Sequence, residues 1–394
     1  MAQQAAAGGA TAGLRVLITN IEMWPPSGTV LYVRDLALEL QRQGHKPIVF
    51  STTQGSVVAE LRAAGITVTD RLGSLREAPD VVHGHHYAPT MVALGHWPAV
   101  PAIYICHGHA SWKDATPIHP RIRRYFGVSR ICVRRLVREG VAADEAELLL
   151  NFIDTDRFAP RGTLSAPPRR ALLFSNYAHA GTHLPAVREA CRRAGLELDV
   201  VGEGIHRIET NPERLLPDYD IVFAKAKAAM EAMAVGTAVI LCDFSGVGPM
   251  VTSSSFHALR PLNFGFEALR EPLQPEPLLR EIARYDPADA SRVRDLLRSE
   301  AGLVAAVEDL IAIYRDVIDR HRVEPSRSTF GLTPRAVRAR LFLRLQWLWA
   351  SLAPDRRRQL TTLRLSKMLY AAARWLFRRH ADRQRQAQPL PWDK

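Results

Sequence analysis

Asp220-Ile-Val-Phe-Ala-Lys-Ala-Lys-Ala-Ala-Met-Glu-Ala-Met-Ala-Val-Gly-Thr-Ala-Val-Ile-Leu-Cys242 decides the architecture of this chain. Residues 221–223 read as a buried strand, residues 225–235 as a helix, and residues 238–242 as a second buried strand. The helix is rich in Ala and Met, and Gly236 just past it suits a left-handed C-cap. Two apolar strands joined by one short helix form a βαβ unit, the building block of a parallel sheet. Ligands of such sheets sit beyond the carboxyl ends of the strands, where the next helix begins. One carboxylate, Glu231, interrupts the otherwise apolar helix. A carboxylate can accept hydrogen bonds from vicinal ribose hydroxyls. The blander reading is a solvent-facing glutamate, and the apolar residues on every side argue against it.

The same alternation runs outward in both directions. Residues 14–20 form a short apolar strand, followed by a turn through Ser27-Gly28-Thr29, a helical pattern over 30–43 and a strand from Ile48. A glycine in that loop, Gly28, lets backbone approach a substrate. Further strands read at 80–83, 101–106, 125–129 and 148–150. A Pro-rich stretch at 160–168 reads as a linker. A second alternating series opens at 171–175 and continues to a helical pattern over 301–320. Two such series imply two doubly wound domains facing across a cleft.

Several segments carry a family resemblance. Met230-Glu-Ala-Met-Ala-Val-Gly-Thr-Ala-Val239 resembles the "EAMA-G-PV" segment of glycosyltransferases of family 4, the large retaining group with the GT-B fold. Asp80-Val-Val-His-Gly-His85 and Ile105-Cys-His-Gly108 resemble two further segments of that family, and Asn151-Phe-Ile-Asp154 resembles its interdomain junction. The resemblance covers roughly residues 14–320. It implies that Glu231 holds the nucleotide ribose and that His107 contacts the donor sugar or its phosphate. It places Gly28, His83 and His85 on the acceptor side of the cleft. Two departures stand out. The family's sugar-contacting glutamate, eight positions before Glu231, falls on Phe223. The family's Arg and Lys after the first strand of the second domain are missing from Ser175-Asn-Tyr-Ala-His-Ala-Gly-Thr-His183. Phosphate charge then falls to Lys225 and Lys227 at the helix start, or to backbone at Gly246 and Gly248. A nucleotide-diphosphate sugar is expected as donor substrate, with no cofactor and no metal. A zinc reading of the clustered histidines stays open as a rival, as does an ordinary structural role.

Composition bounds the rest. At 394 residues, two domains plus extras are expected: a disordered lead over 1–13, a first domain over 14–160, a second over 161–330 and a tail over 331–394. The four scattered cysteines suggest reduced core residues of a cytoplasmic protein. The tail holds 15 Lys/Arg against 3 Asp/Glu, which is the entire net charge of +12. It also holds Trp347, Trp349, Trp375 and Trp392 on amphipathic helical patterns, the signature of a peripheral anchor on an anionic inner membrane face. Nucleic-acid binding and an ordinary partner-binding helix pair compete with that reading, and nucleic acid is the least favoured. The functional expectation is sugar transfer, with retention, to a glycan or lipid-linked acceptor. A catalytically silent sugar-binding or scaffolding relative is the alternative, and a nucleotide-sugar epimerase a weaker third.

Overall fold

The computed structural model describes residues 13–24 and 26–325. The expected lead and the basic tail lie outside the described residues.

The first half supplies β1 (Arg15–Thr19), α1 (Gly28–Arg42), β2 (Lys46–Phe50), α2 (Ser56–Ala63), β3 (Thr67–Thr69), β4 (Val81–His85), α3 (Tyr87–His96), β5 (Ala102–Cys106), β6 (Ile122–Gly127), α4 (Arg130–Arg138) and β7 (Ala146–Leu148). The strands form an all-parallel sheet in the order β3-β2-β1-β4-β5-β6-β7. The second half supplies β8 (Arg170–Phe174), α5 (Leu184–Ala194), β9 (Glu197–Val201), α6 (Pro212–Leu215), β10 (Ile221–Ala224), α7 (Ala226–Val235), β11 (Ala238–Asp243), β12 (Gly246–Met250), α8 (Phe256–Leu259), α9 (Pro275–Ile282), α10 (Pro287–Glu300) and α11 (Leu303–Val323). Its sheet runs β12-β11-β10-β8-β9, parallel apart from the antiparallel edge strand β12. This is the expected pair of doubly wound α/β domains. In each sheet the strand order reverses once, between β1 and β4 and between β8 and β10, and these switch points are where such sheets bind ligands.

The decisive βαβ unit folds as its sequence dictates. Strand β10 pairs with β11 in parallel from Ile221↔Ala238 to Ala224↔Leu241. Helix α7 is buried from Ala229 through Val235, which explains why it carries so little polar sequence. Gly236 ends it at φ 96°, a left-handed conformation that a residue with a Cβ adopts only under strain.

The domain boundaries differ from the linear division. Ile153 and Phe158 already belong to the second core, so the first crossing precedes the Pro-rich linker. The chain then crosses back. Leu303, Val307, Leu310, Ile311, Tyr314, Val317 and Ile318 of α11 pack into the first core. The two crossings lie side by side: Ile153 donates its N–H to Ala301 at 2.8 Å and accepts from Leu303 at 2.9 Å. Helical periodicity cannot say which of two sheets a helix covers, so position along the chain placed 303–323 in the wrong domain.

Candidate functional site in the interdomain cleft

A cleft of about 1070 Å³ separates the domains, lined by Asn20, Gly28, His86, His107, Asn176, Lys225 and Glu231 among others. Its walls are the ends of β1, β4, β5, β8 and β10 with the helices that follow. Four helices, α1, α3, α4 and α7, begin at this cleft. None has a side chain capping its first N–H groups. The first N–H of α7, at Ala226, is donated to the Phe264 carbonyl at 2.9 Å, but each start still brings the positive end of a helix dipole to the cleft, which favours an anion there.

Glu231 stands on the second wall. It is 1% exposed, yet it lines the cleft, and its Oε1 has no hydrogen-bond partner. Burial pushes its carboxyl up to about 7, against the pull of Lys227. A buried carboxyl oxygen without a partner, in a residue of the cleft wall, is suited to a ligand's hydroxyl groups.

Both lysines at the α7 start are already partnered. Lys227 is buried, with its Nζ 2.7 Å from Asp35 of α1 across the domain boundary. Burial pushes the Asp35 carboxyl upward, but Lys227 and Arg34 outweigh it and hold it below the usual range. Arg34 lies 2.6 Å from the same carboxylate. Lys225 is ion-paired with buried Asp243, and its ammonium sits 5.3 and 5.4 Å from the ring centres of Tyr177 and Phe244. Neither lysine is a free charge waiting for phosphate, and this corrects the simple expectation from sequence. The other cations lining the cleft are paired too: Arg34 with Asp35, Arg157 with Glu213 at 3.1 Å and Lys113 with Glu22. The helix starts, not spare ammonium groups, are the positive features left for a ligand in the cleft.

Gly246 and Gly248 do not reach the cleft. They lie in edge strand β12, where a Cβ on Gly246 would stand 2.8 Å from the Glu271 carbonyl oxygen and one on Gly248 2.7 Å from that of Ala268. Their smallness lets the strand pack closely, so they are structural glycines and not phosphate ligands. Gly28 is the opposite case. A Cβ there would meet no atom within 4 Å, and the position opens onto the cleft. Phe223 is fully buried inside β10, opposite Ile240, so no side chain at that position could reach a sugar.

The histidines divide by strand position. His83 and His85 lie inside β4, fully buried and on one face of it, with ring centroids 4.5 Å apart. They face the helix layer: His83 Nδ1 is 2.6 Å from the Tyr314 hydroxyl of α11, and Tyr32 of α1 packs 5.2 Å from His85. Neither sits on an acceptor loop, which corrects that expectation. His86 and His107, each one residue past its strand, line the cleft. His107 receives its backbone support from Asp114, whose Oδ1 accepts the His107 N–H at 3.2 Å. Burial pushes His107 down to about 4 and His86 to about 3. Both are neutral imidazoles at neutral pH. Among the described residues no three His, Cys, Asp or Glu side chains gather as a metal site.

Sequence reasoning missed Arg34, Asp35, Asp114 and Asp243, and took His86 only as one of the clustered histidines. The signal for the first two was available: Arg34-Asp35 interrupts the apolar face of α1 as Glu231 interrupts α7.

Comparison with known proteins agrees with this geometry. Residues 26–157 match the family model described as Glycosyltransferase Family 4, a segment that supplies the first wall of the cleft. The chain shares its fold with a glycosyltransferase from Rickettsia africae ESF-5 (TM-score 0.57, 14% identity, 80% of this chain and 100% of that one). It shares it equally with HepE from Anabaena, whose structure holds UDP-glucose (TM-score 0.56, 15% identity, 77% of this chain and 100% of that one). No curated protein matches the chain in sequence. The fold is therefore GT-B, that of glycosyltransferases. Among the described residues no helix is long and apolar enough to cross a membrane.

Proposed function

We propose that the chain is a glycosyltransferase that moves a hexose from a nucleotide-diphosphate sugar to a glycan or lipid-linked acceptor, with retention and without a bound metal. The observation that carries this reading is Glu231, a buried carboxylate with one unpartnered oxygen, facing a cleft on which four uncapped helix starts converge. In this reading Glu231 holds the ribose diol, and the diphosphate lies against the start of α7. There the backbone N–H groups of the first turn stabilise the charge that grows on the departing diphosphate. His107 reaches the reacting end from the opposite wall. Contacts between the walls, such as Asn176 Nδ2 donating to the Pro26 carbonyl at 3.1 Å, keep them close, which helps to exclude water from the activated sugar. The basic tail, 331–394, would hold the enzyme to the anionic inner face of the membrane, leaving it cytoplasmic and peripheral.

The test is binding and turnover of UDP-glucose, the donor seen in the Anabaena protein. A ligand of the folded state raises thermal stability by mass action, so the wild type should gain melting temperature with UDP-glucose and Glu231→Ala should not. Binding without hydrolysis or transfer would leave a silent sugar-binding protein. Loss of activity on chelating Mg²⁺ and Mn²⁺ would remove the metal-free part of the proposal. Unchanged sedimentation with acidic liposomes after deletion of 331–394 would remove the membrane part.

A further inference from the structure

His107 is held from behind. Its Nε2 lies 2.8 Å from Nδ1 of His85, a fully buried side chain at the end of β4. Tyr32 packs edgewise on both rings, 5.2 Å from His85 and 5.0 Å from His107. Burial pushes His85 well below its ordinary range and His107 down to about 4. At neutral pH each ring therefore carries one proton, and the bond between them has one donor and one acceptor. Its direction follows from the far side of His85. There Nε2 is buried and has no partner. A proton on that atom would be an orphaned buried donor. A bare lone pair in the same place is the lesser cost, since orphaned buried N–H groups are the rarer defect. The His85 proton accordingly sits on Nδ1 and is donated to Nε2 of His107. The His107 proton is then left on Nδ1.

We propose that His85 is a positioning residue that fixes His107 as its Nδ1–H tautomer, so that His107 offers the cleft a hydrogen-bond donor and not a base. The identity of the recipient, an oxygen of a phosphate or of a sugar hydroxyl, rests on the glycosyltransferase reading, whereas the tautomer does not. A neutral donor on this wall stabilises negative charge developing on oxygen and takes no proton from an acceptor.

Nitrogen-15 NMR of the full chain labelled at histidine tests this, with His107→Gln assigning the signal. In the wild type, His107 Nδ1 should fall in the protonated range and Nε2 in the lone-pair range. His85→Phe keeps ring volume but removes the donor, and both His107 nitrogens should move toward the average of exchanging tautomers. His85→Asn places an amide N–H where Nδ1–H stood and should restore the wild-type pattern. UDP-glucose turnover should follow: kcat about tenfold lower in His85→Phe with KM little changed, and largely recovered in His85→Asn. A protonated Nε2 on His107 in the wild type, or an unchanged pattern in His85→Phe, would overturn the proposal. The expected tautomers without any response to UDP-glucose would uphold the positioning role and sink the donor reading alone.

Discussion

The two walls of the cleft are built on one βαβ plan and yet hold different chemistry. The first wall presents imidazoles, His86 and His107, which burial keeps neutral, with two more neutral histidines stacked behind them. The second presents Lys225, Lys227 and Glu231, with Asp243 beneath. The first wall adds a cluster of neutral imidazoles to its own ion pairs, Arg34 with Asp35 and Lys113 with Glu22, whereas the second has no such cluster among the described residues and sets one buried carboxyl, Glu231, among its paired charges. Where charge crosses between them, at Asp35 and Lys227, it is buried and matched. Under the proposed function the difference separates two jobs: holding an anionic nucleotide on the second wall, and meeting the reacting sugar with neutral hydrogen-bonding rings on the first.

The largest effect should come from unbalancing that crossing. Lys227→Met leaves Asp35 with Arg34 alone and should lower stability to chemical denaturation by on the order of 3 kcal/mol. Removing all three charges together, with Asp35→Asn and Arg34→Met added, should recover most of the loss. If the single substitution is neutral, the crossing is not what joins the walls.

Glu231 sharpens the contrast through pH. Its carboxyl is raised from 4.5 to about 7, so the folded chain holds this proton more tightly than the unfolded chain does. Wild-type stability from this group therefore declines as pH rises from about 4.5 through about 7, with the full cost present above that window. Glu231→Gln should match the wild type near pH 4 and exceed it at pH 8 by up to about 3 kcal/mol. It should also bind UDP-glucose about tenfold or more weakly by calorimetry. Equal stabilities at both pH values would show that the carboxylate is not buried as described.

The glycines supply the smaller effects. Gly248→Ala forces a Cβ to within 2.7 Å of a carbonyl oxygen and 2.9 Å of Leu241, and should destabilise the fold by about 2 kcal/mol with UDP-glucose affinity unchanged. Gly28→Ala should change stability by less than about 0.5 kcal/mol and still weaken UDP-glucose binding, because its methyl group enters the cleft. The reverse pattern would restore a phosphate role to β12.

These pairs also show what could be read from sequence. The βαβ unit around Glu231 was legible because its signals agree: apolar strands, a strong helix former and a left-handed glycine stop. Gly246 and Gly248 were misread because Gly-x-Gly marks close backbone approach without saying what approaches, and here it is the chain itself. His83 and His85 were misread for a geometric reason. Alternation puts both on one face of β4, toward the helices, and only a residue just past the strand turns to the cleft. Lys225 and Lys227 were correctly placed at the helix start, but their partners, Asp243 and Asp35, lie 18 and 192 residues away in sequence. Pairing over such separations belongs to tertiary structure.

Helix α11 decides which half of the molecule the chain beyond it is joined to. Its last turn is tied to the first domain, His321 Nε2 lying 3.1 Å from the Ala99 carbonyl oxygen, so anything fastened to the chain beyond Pro325 pulls on that domain. The covalent crossings to the second domain run side by side through the bridge between Ile153 and Gly302, with Lys227–Asp35 and Arg134–Glu267 as further links across the cleft. If the proposed membrane tail holds, the first domain is the one kept against the support, and any opening of the cleft would move the second.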